Sequence, residues 1–224
     1  MEKIFEGVHR FRETVFPEQQ QLFERLARKQ SPQALFITCS DSRVNPNLIT
    51  QTEPGDLFLL RNAGNIVPPY GAASGGGEEA TIEYAVSVLK LRHIILCGHS
   101  NCGAMHALLH SEKARDLPAV RAWFAHAEAT RRIVRDAYPA LPSDALERLA
   151  VAQNVLVQIE NLKTHPSVAS ALARRELNVY GWIYTIETGE VLTYDFNLRR
   201  FVPLTEDPPA PLPAPAIVAE DHRH

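Results

Sequence analysis

The sequence predicts an α/β fold in which a mainly parallel β-sheet is flanked by helices. Three short apolar runs of strand length alternate along the chain with longer segments of helical periodicity. The runs contain few polar side chains, which is typical of strands buried on both faces of a parallel sheet. No linker divides residues 1–205, so we expect one domain with an N-terminal helical arm over residues 1–30. The Pro-rich residues 206–224 are expected to form an extended or disordered tail.

Five segments are predicted to be β-strands. Residues 34–39, 57–60 and 93–97 are the three short apolar runs. Residues 179–186 and 191–196 flank a Thr-Gly dipeptide, and this pattern predicts a C-terminal β-hairpin. The expected sheet therefore has buried parallel strands in its centre and an antiparallel hairpin late in the chain.

Helical periodicity occupies the remaining segments. Residues 2–29 predict two amphipathic helices broken near Pro17, because proline disrupts a helix interior. Residues 118–136 and 144–164 predict two further helices, the second ending before a His-Pro dipeptide. This order of strands and helices supports the α/β class.

The helix predicted over residues 78–91 has apolar side chains on two nearly opposite sides. One stripe comprises Ile82, Ala85, Val86 and Leu89, and the other comprises Ala80, Tyr84, Val88 and Leu91. A helix of this kind is expected to be buried all round. Since one sheet covers only one side, we expect a second subunit to cover the other.

Composition excludes several classes of protein. Hydrophobic residues at 45% and charged residues at 22% are ordinary for a globular chain and exclude a disordered one. The net charge of -3 gives no electrostatic footprint for nucleic acid, and no apolar run is long enough to span a membrane. The charged N-terminus does not resemble a signal peptide, and three cysteines are too few for a disulfide framework. We therefore expect an intracellular, cytoplasmic protein.

Cysteine and histidine residues follow two of the predicted strands. Cys39 and Asp41 come at the end of the first strand, and His99 and Cys102 follow the third. Because sites in such sheets form beyond the carboxyl ends of the strands, these residues are expected to meet. Two thiolates and an imidazole suit Zn²⁺, and three protein ligands with one open position are typical of a catalytic zinc site.

A different interpretation of the cysteines stays open at this point. A cysteine on a buried strand is usually a small hydrophobic residue, and a single H-x-x-C pattern arises often by chance. Cys97 lies inside the third strand and is expected to be such a core residue. Spacing alone therefore makes zinc binding a hypothesis.

The two motifs together resemble those of the β-class carbonic anhydrases. Cys39-Ser40-Asp41-Ser42-Arg43 and His99-Ser100-Asn101-Cys102-Gly103 match the family pattern C-x-D-x-R followed by H-x-x-C-G. The similarity continues through several further segments and covers roughly residues 2–205: 53–58, 61–65, 83–85 and 161–166. Within the class the chain is most similar to the plant-like branch, which includes the bacterial enzyme encoded beside cyanate hydratase.

The resemblance implies one Zn²⁺ per subunit, held by Cys39, His99 and Cys102. The implied reaction is the reversible hydration of CO₂ to bicarbonate and a proton by zinc-bound hydroxide. Asp41, hydrogen-bonded to Arg43, is implied to orient the zinc-bound water. In some members of the class this aspartate instead becomes a fourth ligand and closes the site.

The resemblance also implies substrate contacts and an assembly. Gln30, Phe58, Tyr84 and the Gly103 amide match positions that contact CO₂ or bicarbonate in the plant-like branch. A bicarbonate-inhibited branch has tryptophan three residues before the first cysteine, where this chain has Phe36. We therefore expect an open site at neutral pH. The implied assembly is a homodimer or a dimer-based tetramer or octamer.

Two alternative functions are compatible with the motifs. The chain could be a zinc hydrolase for another CO₂-like molecule, such as carbon disulfide. It could also be a non-enzymatic zinc protein in which Asp41 is a permanent fourth ligand. Outside the motifs, His106 and His110 are expected to have surface or core roles, and the terminal His222 and His224 to bind stray metal at most.

Overall fold

The computed structural model describes residues 1–72 and 75–215. Its centre is one six-stranded sheet with the order β2-β1-β3-β4-β5-β6. The strands are β1 (Ala34–Cys39), β2 (Leu57–Asn62), β3 (His93–His99), β4 (Asn178–Tyr184), β5 (Val191–Asp195) and β6 (Arg200–Pro203). The first four strands pair in parallel and the last two antiparallel, which confirms the predicted α/β class with its C-terminal hairpin.

Ten α-helices are described, some of them continued by short π- or 3₁₀-helical turns. They are α1 (Glu2–Arg10), α2 (Phe16–Glu18), α3 (Gln20–Arg28), α4 (Pro46–Thr50), α5 (Gly77–Glu83), α6 (Gly103–Leu109), α7 (Pro118–Phe124), α8 (Glu128–Ala137), α9 (Ser143–Lys163) and α10 (Pro166–Ala173). Within the described ranges, none of them is long and apolar enough to cross a bilayer.

Prolines explain where the predicted helices differ from the observed ones. Helical structure continues past Pro17 as α2, and the chain leaves the helical region only at Gln19, where φ is -111°. Pro166 does not merely follow a helix but begins α10, because a proline in the first turn has no hydrogen bond to lose. The single helix predicted over residues 118–136 is divided into α7 and α8 by a 3₁₀ turn at Ala125–Ala127, and β6, α4 and α10 were not predicted.

The main core lies between the sheet and α5, α9 and α10. Every residue of β1 is buried, as expected for a central parallel strand. Leu35 and Ile37 of β1 pack into this core, whereas Phe36, on the opposite face, packs edge-on against Trp182. Together these contacts hold the carboxyl ends of β1 and β3 rigidly beside each other.

Apolar side chains are exposed on α1 and on the helix that begins with α5. Tyr84 and Val88 lie on the outer side of the helix that begins with α5, and α1 exposes Ile4, Phe5 and Val8. The helix predicted over residues 78–91 is therefore not buried on all sides within one chain. Because exposed apolar patches of this kind are typical of interfaces, they agree with the expectation of a second subunit.

Part of the Pro-rich C-terminal segment lies on the core. The Leu212 N–H donates a hydrogen bond to the Val179 carbonyl over 2.9 Å, and the Leu212 side chain packs against the main core. Residues 206–215 contain no helix or strand, and residues 216–224 lie outside the described part of the chain. The domain boundary at residue 205 stays a prediction.

Gly181 in β4 allows α9 to approach the sheet closely. A Cβ atom at this position would lie 2.9 Å from side-chain carbons of both Ile159 and Val155. We expect Gly181→Ala to lower the free energy of unfolding by about 1–3 kcal/mol through overpacking, measured by urea unfolding. Gly77→Ala is the control, because no atom lies within 4 Å of the added methyl group. Equal stability of the two variants would contradict this account of the packing.

Candidate metal centre and its surroundings

Strand register brings the predicted metal ligands together. Cys39 is the last residue of β1 and His99 the last of β3, and these strands pair directly in parallel. Cys102 follows three residues later, immediately before α6. The two Sγ atoms and a ring nitrogen of His99 all lie within 4.8 Å of one another, and the three residues are buried. The structure thus contains the predicted constellation at the carboxyl edge of the sheet.

The imidazole of His99 is oriented as a ligand. Its Nδ1 lies 2.9 Å from the Ser100 carbonyl oxygen, which can only accept, so Nδ1 donates and Nε2 carries the lone pair. In the part of the chain that the structure describes, Nε2 is buried and has no hydrogen-bond partner. A backbone carbonyl that fixes the tautomer in this way is typical of histidines that bind metals. The orphaned Nε2 and the neighbouring thiols fit a zinc ion.

The two thiols perturb each other's ionisation. A hydrogen bond from Cys102 lowers the pKa of Cys39 to about 4, and His99 and the Gly64 N–H, 3.4 Å from Sγ, lower it further against the effect of burial. The same hydrogen bond, together with burial, raises the pKa of Cys102. The pair therefore holds a thiolate that can receive a cation, because only deprotonated cysteine is a metal ligand.

Asp41 is held beside the centre by a fork of hydrogen bonds. Arg43 donates from Nε to Oδ1 over 2.9 Å and from Nη2 to Oδ2 over 2.8 Å, and its backbone N–H also reaches Oδ1. The Asp41 Oδ2 lies 3.9 Å from Nε2 of His99. Hydrogen bonds from Arg43 hold the pKa of Asp41 well below its usual range. The carboxylate is ionised, faces the centre and is tied to a cation.

Three further residues support this arrangement and were not singled out from the sequence. Arg61 at the end of β2 donates to the carbonyl oxygens of Cys39 and Asp41 over 3.0 and 2.8 Å. Asn101, with a left-handed backbone (φ 52°), accepts a 3.0 Å hydrogen bond from Arg43 Nη2 on its carbonyl oxygen. Glu187 accepts from the side chains of Ser100 and Asn101, so the β4–β5 turn holds the loop between His99 and Cys102.

Cys97 behaves as the predicted core residue. It lies inside β3, in register with Thr38 of β1 and Trp182 of β4, and it is fully buried. Burial raises the pKa of its thiol to about 12, so it stays protonated near neutral pH. Its Sγ donates to the Gly98 carbonyl, which leaves no role for it as a ligand.

The predicted substrate residues lie in two places. Gly103 is exposed at the start of α6, directly after Cys102. Phe58, by contrast, is in register with Leu35, near the amino end of β1, and its ring stacks on Tyr84 with the centroids 6.0 Å apart. Gln30 is exposed and precedes the same end of β1. One chain therefore does not bring Gln30, Phe58 and Tyr84 to its own metal centre.

The fold and this site together define a β-class carbonic anhydrase. A family model described as carbonic anhydrase matches residues 34–191, and the chain belongs to that family. The matched range contains the three candidate metal ligands and the Asp41–Arg43 pair.

Close relatives agree with this assignment along nearly the whole chain. A carbonic anhydrase from Synechocystis is 54% identical over 203 residues, which cover 90% of this chain and 74% of the relative. The solved structure of the β-carbonic anhydrase CcaA has a TM-score of 0.90 at 52% identity and covers 94% of both chains. A tetrameric β-carbonic anhydrase from Sordaria macrospora has a TM-score of 0.75 at 31% identity, covering 86% of this chain and 95% of that one.

Proposed function

We propose that this chain is a zinc enzyme that catalyses the reversible hydration of CO₂ to bicarbonate and a proton. The observation that carries the proposal is the position of the Asp41 carboxylate. It lies 3.9 Å from the orphaned Nε2 of His99, which is grouped with two buried cysteines, and it is restrained by the Arg43 fork. This arrangement combines a metal-ligand set with an ionised hydrogen-bond acceptor next to the ion.

Cys39, His99 and Cys102 would hold the metal. Zinc in such a site is a Lewis acid that makes water nucleophilic near neutral pH. Asp41 Oδ2 accepts the hydrogen bond of the attacking water and so directs an oxygen lone pair towards CO₂. Arg43 keeps that carboxylate ionised and in place through two parallel hydrogen bonds.

An open site at neutral pH is part of the proposal. Both carboxylate oxygens of Asp41 are engaged by Arg43, which opposes movement of Asp41 into a fourth ligand position. Arg43 is itself restrained by the Asn101 carbonyl. Phe36 replaces the tryptophan of the bicarbonate-inhibited branch, which supports membership of the plant-like branch and similarity to the enzyme encoded beside cyanate hydratase. The cytoplasmic location stays a prediction.

We also propose that a second copy of the chain completes the substrate pocket. Phe58 lies four strand positions before the level of Cys39, which at about 3.3 Å per residue is about 13 Å away along the strand. Phe58 of β2 and Tyr84 therefore serve a neighbouring subunit's centre, and the exposed side of the helix that carries Tyr84 and Val88 is the contact surface. The tetrameric state of a relative supports this assembly.

Replacing Val88 tests the contact surface. Val88 is 59% exposed in the single chain, so a charged side chain there should hardly change the stability of the monomer. The same charge would strongly destabilise an oligomer in which this position is buried. We expect Val88→Glu to shift the mass measured by light scattering from an oligomer towards one chain and to remove most of the CO₂ hydration. Leu198→Glu, at a position 57% exposed, is the matched control. An unchanged oligomer in Val88→Glu would refute this surface.

The function is tested by stopped-flow CO₂ hydration with zinc-loaded and chelator-stripped protein, between about pH 6.5 and 9. We expect zinc-dependent activity already near neutral pH. Activity found only at the alkaline end of this range would still support the proposed CO₂ hydration. It would also indicate that Asp41 is a fourth ligand of the metal at neutral pH. Inactive protein with one zinc per chain would overturn the proposal in favour of another substrate, such as carbon disulfide, or of a structural zinc.

A further inference from the structure

A second cluster of metal-binding side chains lies outside the Cys39/His99/Cys102 centre. His106 and His110 are on and just after α6, and Glu147 projects from α9. One ligand atom from each residue lies within 4.8 Å of the other two. Glu147 Oε1 is 2.8 Å from His106 Nδ1 and 3.8 Å from His110 Nε2, and the two rings are 4.7 Å apart. One carboxylate oxygen is thus hydrogen-bonded to the His106 ring and lies close to the His110 ring.

The backbone holds these three residues in a geometry suited to chelation. His110 follows the last helical residue of α6, but its N–H still donates to the His106 carbonyl over 3.1 Å, and the two rings lie 4.7 Å apart. Two histidines four positions apart are a pairing that binds zinc in metalloproteases. Helices α6 and α9 pack together through a shared apolar core that includes Met105, Leu109 and Leu146. His106 and Glu147 are carried by these packed helices, and such ligands are positioned more accurately than ligands on loops.

The charges around the cluster also favour a cation. Glu112 Oε1 lies 3.6 Å from His110 Nδ1, so a second carboxylate faces the ring from the side away from Glu147. A carboxylate in that position stabilises a ligating histidine and helps to fix its tautomer. Arg148, the residue after Glu147, is engaged by Asp144 over 3.0 Å rather than by Glu147. All three ligand side chains are partly exposed and so accessible to an ion from solution.

We propose that His106, His110 and Glu147 bind one divalent transition-metal ion, distinct from the ion of the Cys39/His99/Cys102 centre. Two imidazoles and one carboxylate are a ligand set that Zn²⁺ accepts, with water completing the coordination. The ion would link α6, which starts at the cysteine-containing loop, to α9. This site is surface-accessible and lacks thiolates, so its affinity for zinc is lower than that of the first centre.

Isothermal titration of Zn²⁺ into full-length protein already loaded at the first centre tests the site. We expect a second equivalent to bind, and both His110→Ala and Glu147→Gln to weaken it by at least about 10-fold. His9→Ala on the exposed side of α1 is the matched control and should bind like the parent. Zinc content after dialysis should stay at one equivalent in every variant, which shows that the variants fold.

The terminal histidines provide the decisive comparison. His222→Ala/His224→Ala should keep the second equivalent, because the ion is held by α6 and α9. Loss of that equivalent in this variant, with retention in His110→Ala, would assign the binding to the C-terminus and overturn the proposal. Absence of any second equivalent in the parent protein at millimolar Zn²⁺ would overturn it as well. Neither result would bear on CO₂ hydration at the first centre.

Discussion

Replacing Asp41 by alanine is expected to leave zinc bound and to lower kcat/KM for CO₂ hydration by roughly 10²- to 10⁴-fold, the range typical of a lost acid–base group. Asp41 lies outside the proposed Cys-His-Cys ligand set but 3.9 Å from His99 Nε2, so its removal takes away the acceptor that we propose orients the attacking water. Stopped-flow kinetics and zinc content on the same preparation measure the two quantities together.

Two comparisons make the Asp41 result specific. Ser42→Ala changes the adjacent, exposed residue and should retain parental activity and zinc. Asp41→Asn keeps the shape of the side chain but removes its charge, and it should be almost as inactive as Asp41→Ala. Parental activity in zinc-loaded Asp41→Ala would show that the carboxylate has no part in the reaction.

Arg43→Ala is expected to allow Asp41 to ligate the metal and thus to remove most activity near neutral pH. Whether Asp41 keeps its negative charge in this variant follows from its pKa, which Arg43 holds well below its usual range. Without Arg43 this pKa rises towards about 3.9, so Asp41 is still ionised at neutral pH. The variant therefore loses restraint rather than charge, and a free carboxylate beside a cation moves onto it.

X-ray absorption of the zinc-loaded Arg43→Ala protein should show a fourth protein ligand where the parent shows three. Arg43→Lys is the informative control, since it keeps a positive charge but cannot form the two parallel hydrogen bonds. We expect it to be intermediate in activity. If zinc-loaded Arg43→Ala were as active as the parent, the fork could not be what keeps the site open.

Strand positions were predictable from the sequence because buried parallel strands leave a strong local signal. The apolar run at residues 34–39 coincides with β1, and the observed bounds of β2 and β3 extend the other two runs by two residues each. Helix boundaries at prolines were less predictable. Pro166 lies in the first turn of α10, where proline is tolerated, whereas Pro17 lies in a helical run that continues from the π-helical turn Phe11–Val15. The sequence pattern distinguishes neither position from a helix end.

Two residues that support the centre from distant parts of the chain could not be recognised from the sequence, for a different reason. Arg61 supports the centre through the carbonyl oxygens of Cys39 and Asp41, and Glu187 does so through Ser100 and Asn101. The contacts of Arg61 span 20 and 22 positions of the chain and those of Glu187 span 87 and 86, and no spacing rule predicts them. Arg61 was included in the family resemblance, but its partners became visible only in three dimensions.

The residue types at the strand ends indicated zinc chemistry, because thiolates and imidazole prefer zinc whatever the fold, and the family resemblance implied which residues form the ligand set. Only the tertiary structure decided how these groups are arranged. Pairing of β1 with β3 places Cys39 beside His99, a backbone carbonyl turns Nε2 inward, and Arg43 restrains Asp41. The strand register likewise places Phe58 and Tyr84 away from their own centre. Ligand chemistry is a local property of side chains, whereas distance and orientation are set by long-range pairing of the backbone.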